Sequence, residues 1–264
     1  MVEAQAFPWL KRLALDCVLL AASLYVLCTS HNMVIMGMAL MLLGARQQAL
    51  GVLAHESVHF LVSKNLAFNE WCGRITFFCI HMDLPTYRAF HFFHHTALGT
   101  PDDPELVLLN FGPFFRKPLT IGKLLRHMCY DLCGLGILWY LGFQLSRMRY
   151  RPLYTSIHLF SIAAIGLILW QYGYGAYWLW WHVALATTFW IAFRLQRWTE
   201  HQEPGVITSS IQPGWLARLL IVPHNIWYHP EHHNNPSLPC WALPSARQEQ
   251  GQSLRHLLRK LGGK

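Results

Sequence analysis

The 264 residues are 53% apolar and only 13% charged, a balance that excludes disorder and does not suit an ordinary soluble domain. A formal charge of +8 would suggest nucleic acid as the partner of a soluble chain. Here the apolar residues gather into runs near the roughly 20 residues that a helix needs to cross a bilayer, so a multi-pass membrane protein is expected and a nucleic-acid partner is not.

In chain order, Lys11 and Arg12 precede an apolar stretch that looks like a signal peptide, yet Tyr25-Val26-Leu27-Cys28 lacks the small residues of a cleavage site. The spacing therefore predicts an uncleaved first span over 12–29. A second span is predicted over 33–54, joined by Ser30-His31-Asn32, a connection short enough to make an antiparallel hairpin. The inner half of this helix turns polar at Arg46-Gln47-Gln48, which is either its submerged end or a site for a substrate head group. His55 and His59 follow on an extension beyond the lipid. Residues 60–153 mix charge, Pro and Gly with two apolar pieces, 73–82 and 132–145, each short for a span and expected to be interfacial or re-entrant. The alternative, that 132–145 spans alone, would put the later histidines across the membrane from the earlier ones. Spans three (154–171) and four (176–195) make a second hairpin around Gly173-Tyr174-Gly175. Trp178, Trp180, Trp181 and Trp190 suit an interfacial belt, whereas His182, ionisable inside a span, is a candidate channel residue. The tail 251–264 sets leucines among Arg and Lys, as in a basic helix lying on anionic lipid.

Apart from Arg46, every Lys and Arg lies in the N-terminus, in 55–153 or from Arg194 onward. The excess of positive charge on cytoplasmic segments then places both termini and the central loop in the cytoplasm. The expected architecture is a single all-α integral-membrane domain over 1–264, with four transmembrane helices, a cytoplasmic helical cap and interfacial helices. The seven cysteines lie in membrane or reducing segments without a Cys-x-x-Cys pair, so no disulfide is expected.

The strongest signal is histidine. Of sixteen in the chain, nine form a pattern: His55-x-x-x-His59, His91-x-x-His94-His95, an isolated His201, and His229-x-x-His232-His233. A random scatter would give about 0.06 His-x-x-His-His triplets, and there are two. On a helix, positions i, i+3 and i+4 share a face, so each group can aim its imidazoles at one point, and neutral imidazole suits iron, copper, zinc or nickel. Nine nitrogen donors exceed one ion's needs, which implies two metals. Asn225 is a candidate extra ligand, directly or through water. Glu56, Glu200 and Glu231 adjoin the ligands and are candidates to orient them, although solvated helix faces explain them equally well. Asp102 and Asp103 are expected to make a turn with Pro101 and Pro104. With four spans all nine histidines fall on one side of the membrane, beside helices rich in Trp, Phe and Leu.

At these residues the chain resembles the integral-membrane fatty acid desaturase and hydroxylase superfamily, marked by three histidine boxes on four spans. His55-Glu56-Ser57-Val58-His59 resembles the first box. Phe90-His91-Phe92-Phe93-His94-His95, with the trailing Asp103-Pro104-Glu105, resembles the second, and Tyr228-His229-Pro230-Glu231-His232-His233 the third. Thr199-Glu200-His201 looks like the isolated ligand, although some members carry an Asn one turn earlier, where this chain has Arg197. The resemblance implies two non-haem irons held by the nine histidines. It also implies O₂ as co-substrate, an acyl chain or similar apolar substrate, and double-bond formation in a bacterial inner membrane. No His-Pro-Gly-Gly haem signature is present, so a separate electron donor of ferredoxin, rubredoxin or cytochrome b5 type is expected. Hydroxylation or ketolation of an alkyl or isoprenoid substrate is the alternative on the same scaffold. A histidine-rich metal transporter is a third reading from another class, disfavoured because transporters place such groups inside the spans.

Overall fold

A computed structural model describes residues 4–105, 120–138, 151–200 and 208–247, with positions 141, 142, 145, 149, 252, 253 and 259 beyond these. Its long helices follow the apolar runs. Helix α1, Ala6–Thr29, and helix α2, Met33–Val58, form the first hairpin, and Asn32 starts α2 by accepting from the Val34 and Ile35 backbone N–H groups at 3.0 and 3.2 Å. Helix α3 covers Leu66–Cys79 and α4 Leu84–Ala97, the latter capped by Asp83 with a proline in its first turn. Helix α5, Ile121–Leu132, is followed by α6, Pro152–Gln171.

The predicted fourth span is divided. Helix α7, Gly175–Ala186, and helix α8, Thr188–Glu200, are separated at Thr187, whose backbone (φ −126°, ψ −85°) leaves the helical region. The Thr187 hydroxyl bonds back to the Val183 carbonyl at 2.6 Å, while Thr188 Oγ1 reaches across to the Leu40 carbonyl at 2.8 Å. The break carries the Thr188–Phe189 backbone onto α2 at Gly44, where any Cβ would collide with Thr188 Oγ1 and the Phe189 nitrogen. Consequently three helices, α1, α2 and α6, are individually long and apolar enough to cross a membrane, and α7 and α8 are 12 and 13 residues each. The chain is a multi-pass, all-helical membrane protein.

Short elements follow: α9 (Trp215–Leu220), α10 (His229–Asn234), a 3₁₀ turn at Leu243–Ala246, and a two-residue parallel pairing of Ile211–Gln212 with Gln252–Ser253. The basic-helix expectation for 251–264 and much of the 132–145 piece lie outside the described residues.

Helix α2 is the hub. From Leu43 to Leu50 every residue is buried, and one core joins Leu43, Leu50, Ala54 and Val58 to Leu20, Leu27, Phe77, Ile80, Leu84, Ala184 and Phe189. The polar trio lies inside this hub. Arg46 pairs with Asp16 of α1 at 3.0 Å and also donates to the Leu219 carbonyl, while Asp16 takes His224 Nε2 at 2.7 Å. Gln47 Nε2 donates to the Trp181 carbonyl at 2.9 Å. Arg46 is thus committed to joining α1, α2 and the segment before α10, and Gln47 to joining α2 and α7.

Candidate metal centre

Box one sits at the C-terminal end of α2, where His55 occupies the last turn and His59 the cap. Helix C-termini leave carbonyls without intrahelical partners. Here Arg88 of α4 donates to the Ser57 and Val58 carbonyls at 2.7 and 3.1 Å, and Asn69 Nδ2 adds a bond to Ser57 at 3.0 Å. Arg88 is fixed in turn by Glu70 at 2.6 Å. This cation at the negative end of α2 ties the helix carrying box two to the helix carrying box one.

His91, His94 and His95 project from α4, and His229, His232 and His233 from the six-residue α10. Box three lacks a long helix to place it, and loop contacts do so instead. Upstream, His224 and Asn225 adopt left-handed backbone (φ 52° and 63°), with His224 bonded to Asp16. Downstream, the Cys240 N–H donates to Glu56 Oε2 at 2.9 Å and its carbonyl accepts from Asn225 Nδ2 at 2.9 Å.

Eight of the nine expected ligands meet. Ligand nitrogens of His55, His59, His91 and His232 lie within 4.8 Å of one another, and those of His94, His229 and His233 form a second such group. Within the first, His91 Nε2 is 2.8 Å from His55 Nε2 and 2.9 Å from His59 Nε2. Within the second, His233 Nε2 is 3.0 Å from His229 Nε2 and 3.3 Å from His94 Nε2. His95 joins the groups: its Nε2 is 2.9 and 3.2 Å from those of His91 and His232, and its ring stacks on His233 at 4.3 Å. His201 lies outside the described residues.

Removal from water disfavours imidazolium, so burial holds His59 down to about 3 and His95 down to about 4, and lowers His91, His94 and His232. Neighbouring imidazoles add to this for His59, His91, His95 and His232. At neutral pH these rings are neutral, the form that ligates metal. The donor set is wholly nitrogenous and doubly grouped, which fits a pair of iron, copper, zinc or nickel ions and not a hard, oxygen-seeking cation.

The surrounding carboxylates differ from expectation in detail. Asp103 Oδ1 accepts from His94 Nδ1 at 2.8 Å, which leaves Nε2 turned toward His233. Asp103 was expected only in a turn; its interval of nine residues from His94 has no helical periodicity to announce the contact. Glu105 stands 3.4 Å from His94 Nε2 and pairs with Arg197, which also holds Glu200 at 3.1 Å. Glu200 Oε1 lies 3.8 Å from His229 Nδ1, and burial raises its carboxyl pKa. Glu56 instead anchors Cys240, and Glu231 is buried with no hydrogen bond to its Oε2 among the described residues. Asn225 spends its amide N–H on Cys240. Tyr87, which the sequence did not single out, stacks on His91 with rings 9° from parallel and centroids 5.6 Å apart.

Apolar helices that cross a membrane and carry two buried imidazole groups define a membrane protein equipped to bind metal. The model of the fatty acid desaturase family matches residues 32–259, and the chain belongs to that family, which makes it a desaturase-like membrane oxidoreductase. Among characterised proteins it is similar to the dihydrorhizobitoxine desaturase of Bradyrhizobium elkanii, with 25% identity covering 88% of this chain and 71% of that one.

Proposed function

We propose that the protein is an O₂-dependent non-haem di-iron desaturase acting on an acyl chain or a similar largely apolar molecule. The observation that carries this reading is the convergence of eight histidines, drawn from 55 to 233, into two adjoining groups. One iron would be held from His55, His59, His91, His95 and His232, the other from His94, His229, His233 and His201. With both irons bound, the pair would use O₂, two electrons and two protons to take two hydrogens from adjacent carbons, giving an alkene and two waters.

The chain's own residues do the rest. Asp103 holds the Nδ1 proton of His94, Tyr87 fixes the plane of His91, and Arg88 keeps the end of α2 in register with α4. The apolar α1, α2, α6 and α7 provide a dry approach for a hydrocarbon, where fixed geometry can select one carbon. The clustering of positive charge on the two termini and the central loop supports a cytoplasmic site in a bacterial inner membrane, supplied by a separate ferredoxin, rubredoxin or cytochrome b5-type donor. The family and the relative's name favour desaturation over hydroxylation.

The test is expression in a host of defined lipid content, with untargeted comparison of lipids and small metabolites against a His94→Ala strain, and iron counting on purified protein. A product two hydrogens lighter and two irons per chain are expected. A product heavier by one oxygen would make the enzyme a hydroxylase, and one ion per chain, or zinc alone, would overturn the di-iron reading.

A further inference from the structure

Helix α2 carries a buried polar group that the metal centre does not use. Gln48 is 3% exposed, and its Oε1 has no hydrogen-bond partner among the described residues. It stands seven residues before His55, two turns along the same face and so about 10 Å deeper in the helix bundle. The glycines flanking it on that face mark what it meets. Gly44, one turn before, touches Thr188 and Phe189, and Gly51, three residues on, faces Ile80 Cδ1 at 3.3 Å from the Cβ position. Gln48 is therefore level with the gap between the α7–α8 break and the α3–α4 turn.

That gap is lined by histidines outside the boxes. His81, in the turn after Ile80, is held in left-handed backbone (φ 59°), a costly conformation for a residue with a Cβ. Its Nε2 lies 3.1 Å from Nε2 of His182 on α7, and His158 of α6 sets its ring perpendicular to that of His81 at 5.8 Å. The Trp178 carbonyl, 2.7 Å from His182 Nδ1, can only accept, so the His182 proton is on Nδ1 and its Nε2 presents a lone pair. Gln47, whose Oε1 also has no hydrogen-bond partner among the described residues, ties its amide to Trp181 beside His182. The groups brought to this level are acceptors: two amide oxygens and an imidazole lone pair. The described contacts of Gln47, Gln48 and His182 include no carboxylate, because Asp16 is already shared by Arg46 and His224. An ammonium would enter without a counter-charge, and a carboxylate would face carbonyl oxygens. A neutral O–H donor answers both conditions.

We propose that Gln48, together with Gln47 and the His81–His182 pair, forms a recognition site for a hydroxyl group on the substrate, two helical turns below the metal-binding histidines. Resting on the desaturase reading, this makes the substrate an amphiphile whose hydroxyl lies about 10 Å, some eight carbons, from the bond attacked. Buried acceptors then measure the chain as the irons act on it.

The probe is 3-azioctanol, a photoreactive alcohol, applied to the purified iron-loaded protein in phosphatidylcholine nanodiscs, with hydroxyl-free 3-azioctane as control. Labelled peptides are identified by mass spectrometry. Saturable labelling of the peptides bearing Gln48, His81 or His182 is expected from the alcohol and not from the alkane, displaced by unlabelled 1-octanol and not by octane. In Gln48→Leu protein it should fall about tenfold, the effect of one lost hydrogen bond. Equal labelling by the two probes, or displacement by octane, overturns the proposal without recourse to any variant. Undiminished labelling of Gln48→Leu or Gln48→Met protein that retains its iron also overturns it. Iron counted in the same samples separates the two ideas: wild-type protein that labels selectively without holding two irons supports this site and counts against the di-iron reading.

Discussion

Individual side chains in this protein are committed by burial to one partner each. Asp103 is the clearest case, because its carboxylate fixes which nitrogen of His94 carries the proton. Asp103→Asn should weaken metal retention 10- to 100-fold, about the loss seen when an orienting partner is removed, as measured by competition with a graded chelator. Unchanged retention would reduce Asp103 to a turn former. Asp16 makes the complementary point. Fully buried, it neutralises Arg46 and holds His224, so Asp16→Ala should strip an interior charge of its partner and cost about 3–5 kcal/mol in thermal unfolding. The double change Asp16→Leu, Arg46→Met should recover most of that loss. If the single variant proves as stable as the parent, the ion pair contributes nothing.

Elements are arranged around α2, whose glycines record how closely its neighbours approach. At Gly44 the broken α7–α8 segment lies against the helix backbone, whereas at Gly37 nothing stands within 4 Å of a built Cβ. Gly37→Ala should therefore be neutral or stabilising by up to about 1 kcal/mol through helix propensity, while Gly44→Ala should destabilise and reduce yield in detergent. Equal effects at the two positions would mean that the α7–α8 break does not dock on α2. The break itself was not legible: 176–195 is continuously apolar, and what interrupts it is a bond from Thr188 to Leu40, 148 residues away. Likewise α10 is too short to be called from periodicity, and contacts to Asp16 and Glu56 set its position.

For the whole molecule the histidine burial has a pH signature. His59 and His95 bind protons only near 3 and 4 in the folded protein but near 6.5 when exposed, so the unfolded chain takes up protons first as pH falls. Metal-free protein should be most stable above about pH 6.5, lose stability down to about pH 4, and level off below, followed as the unfolding midpoint in detergent. A midpoint that rises on acidification would contradict the packing of these rings. The charge distribution makes a separate prediction, that reporters fused to the two termini report the same, cytoplasmic side; opposite sides would mean an odd number of crossings.

The sequence by itself determined the membrane class, the places of the long helices and the histidine pattern. These depend on composition and on periodicity within a helix turn or a span, which neighbours in the chain express directly. Which imidazoles group together, that Asp103 serves His94, that Arg46 answers Asp16 and not a substrate, and that the fourth span is broken were decided only by the tertiary structure. Each is a contact between residues from nine to 208 positions apart, or a consequence of one, and burial makes such contacts energetically decisive while leaving no local trace in the order of residues.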